Sequence, residues 1–382
     1  MELLEAYNLA PFRSNVHSAR GILLARRRLS AMATVVAAML AVGGYLPAAR
    51  AAPSPPATGL QTPACDVWVV RNALSSPMAW QEALAAVERV GCRRIYLQVS
   101  GRWDSYYPSQ VFGPPATAPF PPGWEDPFGA ALAEARARGI EVHAWVNAML
   151  AWSAEEPPGP GHVFRSHPDW FVADAGGRSM RSLSRSELDR RGLRGEGWFL
   201  DPAVLEVRTE LRRFILELVL RYPVDGVHLD YIRYPAGWAP AGGAATVGYL
   251  VGLIRDDLAR VRPDVRLSAA VLPVPEVARE TFGQDWVEWL GRGILDEAVP
   301  MVYRKDAVAI EGVVDAYPEP LARRRLRIGV RLDGIAPGEV RRAAAELGEG
   351  GIPGVALFSH NLLMEDRAWR GVTDLLAGLS GP

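Results

Sequence analysis

Apolar runs of strand length alternate along the chain with amphipathic stretches of helix length, from about residue 64 to the C-terminal region. The runs predict strands over Asp66–Val70, Arg94–Val99, Ile140–Val146, Asp225–Leu229, Val265–Ala270, Glu297–Tyr303, Arg327–Val330 and Gly354–Phe358. Helical periodicity predicts helices over Pro77–Val90, Pro127–Arg138, Pro202–Arg221, Thr246–Val261, Trp286–Arg292, Ala307–Tyr317, Pro337–Leu347 and Asp366–Ala377. Eight strand–helix units in series imply an α/β fold, a (β/α)8 TIM barrel forming a single domain over 64–382. Asp201-Pro202 reads as an N-cap followed by proline in the first helical turn, and Gly139 and Gly293 read as helix ends that use the left-handed conformation.

Alternation within the strands sorts side chains between the barrel interior and the helix layer. Tyr96, Gln98 and Ser100 share one face, His143, Trp145 and Asn147 another, and Gly226, His228 and Asp230 a third. Asp230 then ends its strand at the barrel mouth, the C-terminal face where such barrels carry chemistry. Two connections are longer than turn geometry requires, Ser100 to Asp126 and Asn147 to Asp201. Both follow strands, and both are rich in Trp, Tyr, Pro and Gly, so they are expected to build the walls of a cleft.

The segment before the barrel has a different character. Arg26-Arg27-Arg28 precede an apolar run of 16 residues from Ala31 to Leu46, and Ala49-Arg50-Ala51 resembles a small-residue cleavage site. Residues 1–52 therefore read as a signal or targeting segment and 53–63 as a Pro/Ala linker, which predicts a secreted or extracytoplasmic protein. The run is shorter than the roughly 20 residues that cross a bilayer, so no integral membrane span is expected in the mature form. Net charge is −1 and no block of one sign follows the N-terminal region, which argues against nucleic acid as a partner. Cys65 and Cys92 are the only cysteines, each placed at the start of a strand. They read equally as a disulfide closing a loop of about 27 residues, contributing roughly 3 kcal/mol, or as two buried thiols. Two cysteines and six scattered histidines do not form a zinc pattern, and His143 and His228 alone do not supply a metal cluster; no metal and no organic cofactor is implied.

Cleavage of a glycosidic bond needs two carboxyl groups that flank it. Asp230 is the first candidate, as nucleophile or general base, with a salt bridge to Arg233 or a cap on the following loop as the structural alternative. Asp306, just past the sixth strand, is the leading general acid, with helix N-capping as its alternative; Glu276 and Asp104 remain open. Candidate substrate contacts are Gln98, Trp103, Asp104, Trp145, Asn147, His228, Tyr231, Arg233 and Tyr303. His143 and His228 lie deeper in their strands and also read as satisfied core histidines. Trp103, Tyr106, Tyr107, Trp124, Trp152, Trp170, Tyr231 and Tyr234 fall in loops after strands, where ring faces can stack on sugars, and half of them at most are expected to touch ligand.

The segments Gly139–Asn147, Phe199–Arg208 and Asp225–Pro235, with Gly283–Trp286 and Pro300–Tyr303, resemble the glycosyl hydrolase-like 10 family of bacterial proteins, over a span from about Cys65 to the C-terminal helix. The resemblance implies a (β/α)8 barrel, a polysaccharide substrate associated with the bacterial envelope, and an acid at the end of the fourth strand, which falls on Asp230. Met301 stands where many relatives carry Gln, so a sugar contact by that Gln does not transfer. The loop Gly101–Pro108 keeps only Asp104 and the Tyr-Pro ending of the usual pattern. The expectation is an exported glycoside hydrolase acting on a cell-wall or extracellular polysaccharide, such as a peptidoglycan-like glycan. The alternative is a catalytically silent barrel that binds envelope glycans.

Overall fold

In the computed structural model all eight expected strands are present and lie parallel in one sheet rolled into a barrel. The structure describes residues 64–379 apart from 116–119, 194 and 319–322; the segments read as signal and linker lie outside the described residues. In chain order the strands are β1 Ala64–Val69, β2 Arg94–Ser100, β3 Glu141–Asn147, β4 Leu150–Trp152, β5 Trp198–Phe199, β6 Gly226–Asp230, β7 Arg266–Val271, β8 Glu297–Pro300, β9 Ile328–Arg331 and β10 Gly354–Phe358. The barrel order is β8-β7-β6-β3-β2-β1-β10-β9, while β4 and β5 pair antiparallel within the long connection after β3. Between β8 and β9 the ring closes through two isolated parallel bridges, Ala298 to Leu326 and Met301 to Gly329.

Strand parity decides the core. Ile95, Leu97 and Val99 of β2 point outward into the cluster shared with Ala83, Leu84 and Val87 of the helix Pro77–Arg89. Trp68, Tyr96, Trp145, Ala270, Val299 and Ala356 point inward and form a separate interior cluster. At the floor of the barrel the interior becomes ionic. Arg94 Nη1 meets Glu297 at 3.0 Å and Asp66 at 3.5 Å, its Nε meets Glu141 at 3.2 Å, and Arg327 Nε approaches Glu297 at 3.4 Å. Tyr96 Oη donates to Asp66 at 3.0 Å. Burial alone would push the Glu297 carboxyl up, but Arg94, Arg327 and Arg266 outweigh it and hold it well below the usual carboxylate range.

Above this floor sits a layer of rings. Tyr96 stacks on His228 at 4.0 Å, and His143 meets Tyr96 edge-on at 5.7 Å. Burial pushes the His228 imidazole well below its ordinary range, so the ring is neutral. Its Nε2 accepts from Trp68 Nε1 at 3.0 Å, which leaves the proton on Nδ1 to donate to Ser268 Oγ at 2.9 Å. His228 is thus a fully satisfied core residue, and its expected contact with substrate is corrected. Space for these rings comes from glycine: a Cβ at Gly226 would lie 2.5 Å from His143 Nδ1, and one at Gly329 would lie 2.9 Å from the Trp68 ring.

Cys65 and Cys92 form a disulfide joining β1 to the segment that enters β2. Gly139 and Gly293 adopt φ of 71° and 70° at helix ends, as their positions imply. Three boundaries differ from expectation. The helix read from Pro202 starts at Leu205, because Asp201 Oδ1 accepts from Ala203 N at 2.8 Å and closes a turn instead of capping. The expected helix Asp366–Ala377 is absent. A helix His360–Glu365 follows β10 directly, and the chain then turns so that Asp374 N and Leu375 N donate to the carbonyls of Arg89 and Val90. Gly371 followed by Val372 and Thr373 gives that stretch little helical propensity of its own. A helix Pro275–Phe282 follows β7 where no helix was expected.

Replacing Gly226 by Ala should cost about 2 kcal/mol of stability through overpacking against His143. The same substitution in a His143→Ala background should cost less than about half of that. Denaturant unfolding of the four proteins of this cycle measures the coupling.

Candidate active site

The site is built on the end of β6. Asp230 pairs in register with Asn147, and its carboxyl Oδ1 accepts from the backbone N–H of Tyr231 at 2.7 Å. Tyr231 then turns the chain with φ of 51°, a left-handed conformation that a tyrosine adopts at a cost of roughly 1 kcal/mol. Backbone bonds hold it there: Ala148 N donates to Asp230 O at 2.7 Å, and Met149 N donates to Tyr231 O at 3.2 Å. The turn leaves Asp230 and the Tyr231 ring partly exposed at the mouth. Burial pushes the Asp230 carboxyl up to about 6, against the opposing pull of the Tyr231 N–H, Arg233 and the Trp145 indole; the Glu196 charge adds to the rise.

The neighbouring wall is a chain of polar groups engaged with one another. Asn147 Oδ1 accepts from Trp145 Nε1 at 2.9 Å and from Gln98 Nε2 at 3.4 Å, and Asn147 Nδ2 donates to Gly101 O at 3.0 Å. Gln98 Oε1 accepts from the backbone N of Arg71 at 3.3 Å and from Arg71 Nη1 at 3.0 Å. Gln98, Trp145 and Asn147 therefore meet beside Asp230 as their parity implies. Arg71, just past β1, completes the wall and was not marked by any motif; its place at the end of a barrel strand is the signal that could have found it.

Other expected site residues have structural work. Asp306 is exposed and is the N-cap of the helix Ala307–Asp315, its Oδ1 accepting from Ala309 N at 2.8 Å. That capping bond is the alternative role read from the sequence, and it engages one oxygen of the carboxylate. Asp104 is buried, and its Oδ1 accepts from Gly101 N and Arg102 N, both at 2.9 Å, so it folds the loop after β2 and is not open to a sugar. Trp103 is buried with φ of 56°, donates Nε1 to Ala148 O at 2.7 Å and stacks on Phe112. Arg233 does not pair with Asp230. It pairs with Glu196 at 3.1 Å and lies against the rings of Phe199, Tyr231 and Phe282. Tyr303 stands half-buried on the rim beside Phe358. Of the eight loop aromatics, Trp103, Tyr106, Tyr107, Trp124, Trp152 and Tyr234 are buried as loop cores. Trp170 and Tyr231 are more open.

The carboxylate whose charge reaches Asp230 is Glu196, at the end of the long connection after β3. Its distance in sequence from any strand end concealed it. A cavity of about 780 Å³ opens elsewhere among the loops, lined by Trp103, Phe112, His162, Trp170, Leu205 and Glu210; Asp230, Gln98 and Asn147 are not on its wall. Among the described residues no group of three or more His, Cys, Asp or Glu is placed to hold a metal ion.

The model of the glycosyl hydrolase-like 10 family matches residues 66–239, which hold most of β1, all of β2 to β6, and Asp230. Glycosyl hydrolase DigH of Escherichia coli K12 is 24% identical over 287 residues, covering 61% of this chain and 60% of the relative. Glycosyl hydrolase YngK of Bacillus subtilis is 26% identical over 179 residues, covering 44% and 31%. The chain thus spans 60% or less of the length of these curated relatives. Among solved structures, catalytic domain 2 of the Ostrinia furnacalis Group II chitinase superposes with a TM-score of 0.51 at 11% identity, covering 84% of this chain and 96% of that one. That likeness concerns the barrel fold.

A carboxyl titrating near pH 6 should be visible by 13C NMR and should vanish in Asp230→Asn. In Arg233→Gln its midpoint should move upward, because the guanidinium that favours the ionised form is gone and Glu196 is left uncompensated.

Proposed function

We propose, on the premise that this chain belongs to the glycosyl hydrolase-like 10 family, that it is an exported glycoside hydrolase of a cell-wall or extracellular polysaccharide, with Asp230 at the reacting bond. The single observation that carries this reading is a carboxyl at the C-terminal end of a barrel strand, partly open at the mouth and in register with Asn147 of the polar wall that Gln98 and Trp145 complete; burial, which raises that carboxyl to about 6, supports it. A nucleophile works best as a stable anion, whereas a raised carboxyl near neutral pH is suited to giving up a proton. The role therefore moves from nucleophile or base to general acid: Asp230 protonates the glycosidic oxygen as the bond to the anomeric carbon breaks. The opposite face of the sugar then needs a second carboxylate or a nucleophile carried by the substrate itself. Glu196 acts on the acid through its charge while bound to Arg233.

Export rests on the basic and apolar N-terminal sequence, Arg26-Arg27-Arg28 followed by Ala31–Leu46. Names of relatives as glycosyl hydrolases support the reaction class, and the family resemblance supports an envelope glycan such as peptidoglycan. A glycan-binding barrel without catalysis is the second reading. It is favoured by the engagement of Asp306 as a helix cap and of Glu196 in an ion pair.

Product release from purified polysaccharides, including peptidoglycan strands with and without stem peptides, separates the two. Wild type should release products with an alkaline limb in kcat/KM near pH 6, and Asp230→Asn should lose roughly 100- to 10,000-fold. Binding without release by both proteins selects the silent barrel. The same variant should gain stability above pH 6. A carboxyl whose folded pKa is raised costs stability once ionised, so removing the charge should gain about 1 to 2 kcal/mol there and little below pH 4, as thermal unfolding at the two pH values would show.

A further inference from the structure

Two guanidinium groups stand on the mouth wall without a carboxylate partner. Arg71 and Arg102 take part in no ion pair with a described residue, whereas the buried Arg94, Arg233 and Arg327 all do. Arg71 is tied by its backbone N and Nη1 to Gln98, which is joined in turn to Asn147, the residue in register with Asp230. The Arg71 charge also acts on the Tyr231 hydroxyl, which places it on the same mouth. Arg102 donates Nε to Ser153 Oγ at 2.9 Å and lies 5.0 Å over the Trp152 ring, so one edge is anchored and the Nη groups are not hydrogen-bonded within the described protein. Gly101 separates the two, and a Cβ there would overlap Arg71 Nη1. Burial, Arg71 and Arg185 all disfavour the charge of Arg102; Asp104, already engaged by two backbone N–H groups, offsets this in part. The wall thus carries a surplus of positive charge, half-buried and fixed in place.

A planar anion on the substrate would relieve that surplus. Guanidinium matches carboxylate in shape as well as charge, and the pair gains most where water is partly excluded. We infer that Arg71 and Arg102 read a carboxylate on the bound saccharide, carried either on a uronic acid ring or on a lactyl ether of an amino sugar. This rests on the reading of the mouth as a glycan site, though not on cleavage.

The test uses the full chain with Asp230→Asn, so that binding is measured without turnover, and titration calorimetry with matched ligands. Peptidoglycan strands freed of stem peptides represent the lactyl source and oligouronates the uronic source, each beside a twin whose carboxylates have been reduced to alcohols. At least one carboxylated glycan should bind tenfold or more tightly than its twin. Arg71→Gln and Arg102→Gln should each bring the ratio toward one, with a smaller loss for the twin than for the carboxylated glycan, and Arg71→Lys should give an intermediate ratio. Equal binding of both twins, absence of binding to every carboxylated glycan, or an equal loss for both twins in the two glutamine variants would overturn the inference. If one variant fails to fold, the other decides. Selective binding with no product from wild type would sink the hydrolase reading and leave this one standing.

Discussion

The ionic floor of the barrel is the interaction on which the upper structure depends. Asp66, Glu297, Arg94 and Arg327 are all buried, and charges taken out of water are costly unless every one is met. Here Asp66 sees two guanidinium groups and Glu297 sees three, and Tyr96 closes the set. The arrangement tolerates no slip in strand register, since a shift of one residue would turn these groups into the apolar helix layer. Tyr96, so fixed, carries the stack with His228 and His143. Two residues further along the same strands come Gln98, Trp145 and Asp230. The placement of these side chains along their strands is thus set from below.

Strand number, strand order of appearance and interior parity were legible in the sequence because a period of two, bounded by helical segments, leaves few alternatives. Tyr96, Gln98, Trp145 and Asn147 fall inside for that reason alone. What the sequence did not reveal depends on contacts between distant segments. Glu196 and Arg233 are 37 positions apart, and only the folded path of the long connection after β3 makes them a pair. Asp306 illustrates the opposite failure. An acid following a strand and preceding a helix satisfies the pattern of a catalytic rim residue and that of an N-cap equally, and only the folded backbone shows the capping bond to Ala309 N. The short ribbon of β4 and β5 has too few residues to show a period at all.

Most of the aromatic loop residues that suggested sugar stacking turned out to hold the loops together. Phe214 of the helix Leu205–Arg221 stacks on both Tyr107 and Phe112, and Trp103 also stacks on Phe112. Long connections without much regular structure need a core of their own, and rings supply the most buried area per residue. Two of the aromatic residues, Trp103 and Tyr231, sit in left-handed conformations, each tied to the segment after β3: Trp103 Nε1 donates to Ala148 O, and Tyr231 O accepts from Met149 N.

The joint between β8 and β9 gives the ring one weak link. Every other neighbouring pair of barrel strands is laced by a ladder of paired residues, whereas here two isolated bridges and the ionic floor hold the edges together. A closed ring resists widening as a whole; one with a single lightly bonded joint can flex there while seven strand pairs remain intact. Amide hydrogens along that joint should exchange with solvent well before those of β2, β3 and β6, through local opening of low free energy. Met301 and Tyr303 lie on its upper end, so the rim opposite the polar wall is the side of the mouth able to yield to a bulky chain, while the wall that carries Asp230 stays fixed.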